Sequence, residues 1–98
     1  MREIELTPKA NEDLENIWLY GFEMFGMEKA DRYILHISSV FGHLAQHSAG
    51  KRRGELGQDI RSFPCRQHVI FYKENRQMIS VIRVLHHSRD VETHLYWQ

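Results

Sequence analysis

The sequence predicts a two-layer α+β domain of order β-α-α-β-β-β, with a helical hairpin packed on one face of an antiparallel sheet. Three observations carry that prediction. Two apolar stripes at helical spacing follow one another with only Gly26 between them. Two runs rich in β-branched and aromatic residues, Val69 to Tyr72 and Met78 to Leu85, flank a short polar break at Lys73 to Gln77, as the strands of a hairpin do. A short alternating segment opens the chain, and 98 residues make one domain, residues 1–98, able to bury roughly 60 to 65% of the unfolded surface.

Between Arg2 and Leu6, Ile4 and Leu6 face one way and Glu3 and Glu5 the other, which fits a half-buried strand. Thr7 and Pro8 then read as an N-cap and a first helical residue: the hydroxyl can accept a free N–H, and the proline's missing donor costs nothing there. Ala10, Leu14, Ile17, Trp18, Gly21, Met24 and Phe25 recur at helical spacing and predict a helix from Pro8 to Phe25, with Trp18 in the core. Glu12, Asp13 and Glu15 crowd its first turns, where carboxylates meet the positive end of the helix dipole. Gly26 is expected to end this helix in the left-handed conformation. Met27, Ala30, Tyr33, Ile34, Ile37, Val40, Phe41 and Leu44 form the second stripe, with Tyr33 in the core and fraying near His47. So short a break makes the two helices antiparallel neighbours.

Gly50 to Gln58, with three glycines and the consecutive cations Lys51, Arg52 and Arg53, reads as a mobile loop with almost nothing apolar. A short strand from Ile60 to Phe63 follows, and Pro64 is expected to interrupt it before the hairpin completes a meander. After Leu85, the stretch from Asp90 to Leu95 has the composition of one helical turn capped by Ser88 or Asp90, leaving Tyr96 and Trp97 as an aromatic tail. The sheet's second face and its open edge are left for a partner or substrate.

Charge balances overall but not along the chain. Residues 1–32 carry four basic and eight acidic side chains, residues 51–98 nine basic and five acidic. A basic C-terminal half without a net basic excess suits an acidic partner better than a broad nucleic-acid surface. A single cysteine, Cys65, excludes an internal disulfide; no window approaches the ~18 apolar residues of a membrane span, and Met1 to Leu6 does not read as a signal peptide, so the expected setting is soluble, reducing and cytoplasmic. His43 and His47 have the i, i+4 spacing of a two-histidine metal site, with His36 near the same face. No cysteine or carboxylate stands close enough in sequence to complete a ligand set, so neither a metal nor another cofactor is expected. Lys51 to Arg53 read as a solvated cationic stretch in preference to a phosphate grip.

Several stretches, in this order and at these spacings, resemble the ParE toxins of the RelE/ParE superfamily of type II toxin–antitoxin systems. They are LTPKANEDLENIW at Leu6 to Trp18, the FG-x-x-x-A-DRY pattern at Phe25 to Tyr33, LAQHS at Leu44 to Ser48, IRSF at Ile60 to Phe63, HVIFY at His68 to Tyr72 and IRVLHHSRDVETHL at Ile82 to Leu95. The likeness covers most of the chain. It implies the RelE/ParE-like fold and a growth-arresting, plasmid-stabilising toxin that inhibits DNA gyrase by protein–protein contact. It also implies a ParD-like antitoxin that neutralises the toxin in a hetero-oligomer, with no sequence-specific nucleic-acid binding by the toxin alone. RelE relatives on the same scaffold instead cut mRNA on the ribosome, so the fold by itself does not choose between the two.

The residues weigh against the second activity. Metal-independent RNA cleavage needs a base for the 2′-hydroxyl proton, cations for the in-line phosphate and an acid for the leaving oxygen; Arg61, Arg83, His86 and His87 are the side chains that would supply them. Along one strand, however, Arg83 and Leu85 point one way and Val84 and His86 the other, so Arg83 and His86 share a face only if the strand ends or bulges between them. RelE-type enzymes also carry a cluster of lysines and arginines and a late tyrosine, whereas here Tyr96 is the only late tyrosine. The expectation is a toxin without catalytic residues, in which His87, Ser88 and Arg89 contact the target and Arg61, Tyr72, Arg83, Tyr96 and Trp97 bind the antitoxin. For Arg83 the competing reading is a structural cation, its stem packed on the sheet and its head paired with a carboxylate.

Overall fold

A computed structural model describes residues 2–89. The expected turn at Asp90 to Leu95 and the tail at Tyr96 and Trp97 lie outside the described residues. Strand β1 (Glu3–Leu6) leads into helices α1 (Pro8–Phe25) and α2 (Met27–Gln46), followed by β2 (Lys51–Arg52), β3 (Arg61–Cys65), β4 (His68–Glu74) and β5 (Met78–His86). The strands form one sheet in the order β1-β5-β4-β3-β2.

The sheet is mixed, which corrects the all-antiparallel expectation: β1 runs parallel to β5, with Glu3 opposite Met78 and Leu6 opposite Val81. Both helices and three strands separate these partners in sequence, a crossover long enough to return the chain in the same direction. The helical layer buries Ala10, Ile37, Phe41, Leu44 and Ala45 against Ile70, Tyr72, Ile79, Val81 and Val84 of the sheet. Gly21 lets the helices approach closely, since a Cβ there would lie 3.4 Å from that of Ala30. Gly26 serves as the last cap of α1 and the first of α2 with φ 94° and ψ 167°. Its φ is positive as expected, but ψ is extended, not left-handed helical, and that combination is open essentially to glycine alone.

The loop after α2 departs most from expectation. It contributes β2, paired with β3 through Lys51–Ser62 and Arg52–Arg61. Its one large apolar side chain, Leu56, is buried with Ile60, Phe71, Ile82 and Leu85 against the sheet face opposite the helices. That face, expected to stand bare, therefore carries a small core of its own. Pro64 does not interrupt β3 but pairs with Val69 inside it. Because β2 reaches only Arg61 and Ser62, the strand is a sheet edge at Pro64, where a missing donor is tolerated.

Two further sequence expectations change. No acidic residue lies in the first turn of α1; Thr7 caps it, its hydroxyl oxygen accepting from the Ala10 N–H at 3.1 Å while its O–H donates to the Ile82 carbonyl at 2.8 Å. Trp18 is half-buried on the outer side of the helical hairpin, stacked on Phe22 with centroids 5.2 Å apart and donating to Asp31 at 2.7 Å. Arg2 fastens the N-terminus to the far end of α2: its guanidinium donates to the Leu44 and Ala45 carbonyls, at the negative end of the helix dipole, and to Glu74 at 2.6 Å.

A candidate functional site at the end of the last strand

Strand β1 accompanies β5 only as far as Val81, so the second half of β5 has no strand on that side. Helix α1 fills the place. Asp13 accepts the Val84 backbone N–H at 3.0 Å, and its carboxylate also takes Nε and Nη2 of Arg83 at 2.7 and 2.8 Å. A side chain thus satisfies the sheet edge where a neighbouring strand would. The extra residue in β5 sets this up: Tyr72 opposes Val81 and Phe71 opposes Arg83, so Ile82 is inserted as a bulge. The bulge lies before Arg83, not between Arg83 and His86.

Arg83 is buried and Asp13 nearly so, their side chains 9% and 11% exposed. The head of Arg83 is paired with a carboxylate, as the competing reading describes. Tyr72 lies in the core. It is completely buried, with its hydroxyl against Gly50 and without a hydrogen-bond partner among the described residues; burial and then the nearby Glu74 raise its pKa. Arg61 is half-buried, held by Glu74 at 2.9 Å and by the Gly50 carbonyl at 3.1 Å. Glu74 therefore bridges Arg2 and Arg61, while Asp13 holds Arg83 beside α1. Of the four residues named for a nuclease, Arg61 and Arg83 sit in separate ion pairs, and His86 and His87 follow the bulge along the chain.

A cleft of about 1010 Å³ lies between the tip of the helical hairpin and the far end of the sheet. Ile17, Tyr20, Gly21 and Phe25 of α1 form one wall with Lys29, Arg32 and Tyr33 of α2; Arg66, Gln67, His68, Leu85, His86, Ser88 and Arg89 form the other. Arg66 occupies the two-residue turn between β3 and β4 with φ 56°, a left-handed conformation uncommon for a long side chain. The turn after β5 is fixed against this one: the His87 N–H donates to the Gln67 carbonyl at 2.9 Å, and the Arg89 N–H to the His86 carbonyl at 2.9 Å. His86 Nδ1 shares a hydrogen bond with the Ser88 hydroxyl at 2.8 Å. His86, His87, Ser88 and Arg89 are consequently all exposed, on a backbone that is well held.

Tyr33, His68, His86 and His87 follow one another in series, the first three lining the cleft. The Tyr33 hydroxyl lies 2.6 Å from His68 Nδ1, His86 meets the His68 ring edge-on at 5.5 Å between centroids, and His87 stacks on His86 at 4.4 Å. Burial first, then the neighbouring charges of His86 and His87, push the His68 pKa down from 6.5 to about 4. A ring held neutral in the fold but free to protonate in the unfolded chain leaves stability intact above pH 6.5 and erodes it as pH falls from 6.5 towards 4. The full shift would correspond to about 3 kcal/mol, and solvent screening of the partly exposed ring reduces that to about 1–2 kcal/mol. Denaturant unfolding at neutral and at mildly acid pH should reveal this loss, and His68→Gln should remove that part of the slope. An unchanged slope in the variant would show that other groups set it.

Sequence reasoning missed Asp13, His68 and Arg66; Tyr33, expected in the core, packs against it while its hydroxyl reaches His68. The His68–His86 juxtaposition was legible in principle, because they are register partners at the end of a hairpin whose strands were both recognised. The second helix shows His43 and His47 with ring centroids 4.8 Å apart, and among the described residues no group of three metal-ligating side chains occurs. Lys51 and Arg52 are exposed, but Arg53 pairs with Glu55 at 2.8 Å and donates to Ser62 at 3.1 Å. No helix among the described residues is long and apolar enough to cross a membrane.

Residues 4–91 match the sequence model of a family described as the ParE toxin of type II toxin–antitoxin system, parDE. Among curated proteins, Toxin ParE1 of Caulobacter vibrioides is 30% identical over 96 residues, covering 97% of this chain and 99% of the relative. Among solved structures, the fold matches a chain of the chromosomal ParDE TA system from P. aeruginosa with a TM-score of 0.76 at 21% identity, covering 88% of this chain and 96% of that one. It also matches YafQ from E. coli strain BL21(DE3) with a TM-score of 0.57 at 10% identity, over 90% and 96% of the two chains.

Proposed function

The chain belongs to the ParE toxin family of type II toxin–antitoxin systems, and from that premise we propose that it acts in the cytoplasm as a non-enzymatic inhibitor of DNA gyrase, neutralised by a ParD-like antitoxin. One observation above all supports this reading: the two arginines a nuclease would need are held by separate carboxylates, Arg61 by Glu74 and Arg83 by Asp13, while the exposed polar side chains cluster on the turn from His86 to Arg89. Such a shelf suits contact with another protein, because its backbone is fixed and its side chains are free of the core. The target surface is then His87, Ser88 and Arg89. For the antitoxin, the outer side of the helical hairpin offers Leu19, Phe22 and Leu35, large apolar side chains left exposed, on which an amphipathic segment can lie. Arg61 flanks the opposite end of the sheet, and Tyr72 supports it from the core.

Purified toxin is expected to inhibit supercoiling by gyrase, and stoichiometric cognate antitoxin to restore it. Gyrase left untouched at large molar excess would refute the target. The alternative, a ribosome-dependent mRNA endonuclease, draws on the Tyr33–His68–His86 series, a set of titratable rings within a cleft. It predicts codon-phased mRNA cleavage abolished by His86→Ala or His87→Ala, and intact transcripts during growth arrest would exclude it.

A further inference from the structure

We propose that the cleft is a binding site for a nucleoside 5′-diphosphate, with the base against the aromatic wall supplied by α1 and the diphosphate among the cations of the lining. The inference goes beyond the gyrase reading and does not rest on it. At about 1010 Å³ the cleft stands at the upper end of the roughly 300–1,000 Å³ usual for small-molecule sites. Charge supports the assignment first. Lys29, Arg32, Arg66 and Arg89 line the cleft, and the carboxylates near them are engaged: Asp13 holds Arg83, and Glu28 offsets Arg32. Lys29, Arg66 and Arg89 are thus left without a carboxylate among the described residues. Arg66 stands at a turn position with φ 56°, a place glycine or asparagine usually takes, so its long cationic side chain is not what the turn requires.

The aromatic wall supports it second. Tyr20 and Phe25 are 64% and 61% exposed, and Lys29 Nζ lies 6.0 Å from the centroid of the Phe25 ring, so flat apolar faces and a cation share one wall. A base offers a π-face to such a wall, and its phosphates carry the charge that the cations lack. Bare phosphate would satisfy the cations but leave the aromatic wall in water. An acidic peptide meets a different obstacle. An extended segment needs backbone partners, and the strand edge beside the cleft is already closed, with Asp13 accepting from the Val84 N–H at 3.0 Å.

The test titrates the full chain into N-methylanthraniloyl-ADP without magnesium and follows fluorescence anisotropy. Saturable binding is expected, with unlabelled ADP displacing the probe at a concentration at least about tenfold below that needed of adenosine or of inorganic pyrophosphate, each of which carries only part of the recognised chemistry. Tyr20→Ala should weaken binding about tenfold, within the range for removing one stacking partner of a base. Arg66→Gly, which suits the positive φ while deleting the guanidinium, should weaken it by a similar factor, and Lys51→Ala, at a cation outside the cleft, should leave it unchanged. Circular dichroism of each variant establishes that it is folded. No saturable binding at about 1 mM nucleotide would overturn the proposal. Pyrophosphate as effective as ADP, or a folded Tyr20→Ala variant that binds as the parent does, would overturn it by reducing the cleft to a plain anion site. A loss in Lys51→Ala equal to that in Arg66→Gly would do the same by showing diffuse charge attraction. A single-stranded trinucleotide bound more than about tenfold tighter than ADP would overturn it as well, assigning the cleft to nucleic acid. Gyrase is absent from the assay, so each of these failures leaves the target assignment standing.

Discussion

Asp13→Ala is expected to lower the unfolding free energy by about 3–5 kcal/mol, the range for removing one partner of a buried ion pair. The substitution strips the carboxylate from the Arg83 guanidinium and from the Val84 N–H, so a buried cation and a sheet-edge donor lose their acceptor together. Nothing local opposes the loss, because alanine is the better helix former at an interior helical position. Urea unfolding followed by far-UV circular dichroism measures it. A change comparable to that of Glu28→Ala, which touches only the exposed Arg32–Glu28 pair on α2, would mean that the pair is not the anchor described here. Replacing both partners, Asp13→Leu with Arg83→Met, should recover most of the deficit, since the cost lies in the unpaired charge more than in the absent bond. Such a recovery would separate the structural role of Arg83 from any role in binding.

Asp13 also shows what the sequence makes legible and what it hides. The boundaries of α1 and the break at Gly26 follow from local signals: a capping threonine, a proline at the first position, apolar spacing and a glycine. So do the two hairpin strands. The parallel placement of β1 does not, because it depends on where the chain re-enters after both helices, and no residue of β1 encodes its neighbour. Asp13 read naturally as a dipole-favoured acid near a helix start; that it lies beside an unpaired strand edge some seventy residues later is a consequence of tertiary geometry. Leu56 was overlooked for the opposite reason. One apolar residue among glycines and charges leaves no periodicity to detect, yet one is enough to seal a small sheet face. Arg83 and Tyr72, attractive as surface residues from their chemistry, are internal because a bulge at Ile82 shifts the alternation and because Gly50 closes over the tyrosine hydroxyl. The exposed turn at His87 to Arg89 was recognisable, since the apolar strand visibly ends there.

That turn carries the largest functional effect to be expected under the proposed function. Replacing His87, Ser88 and Arg89 together by alanine should raise the toxin concentration needed for half-inhibition of gyrase about 30-fold, corresponding to the loss of about 2 kcal/mol at a contact that includes an arginine. Stability should change little, because all three side chains are exposed: the substitutions remove only the exposed hydrogen bonds of Ser88 with His86 and of His87 with Gln67, while the bonds from the His87 and Arg89 amides to the Gln67 and His86 carbonyls belong to the backbone and remain. Arg83→Ala supplies the contrast: it should depress stability and inhibition in parallel, the signature of a residue acting through the fold. Affinity for the antitoxin should survive in the alanine triple variant if that partner lies on the outer side of the helices, and would fall with inhibition if both partners read the same turn. Undiminished inhibition by a folded triple variant would move the gyrase surface away from the end of β5. The exposed apolar side chains Leu19, Phe22 and Leu35 would then be the next residues to test, since they are large, lie on the helical layer and do not line the cleft.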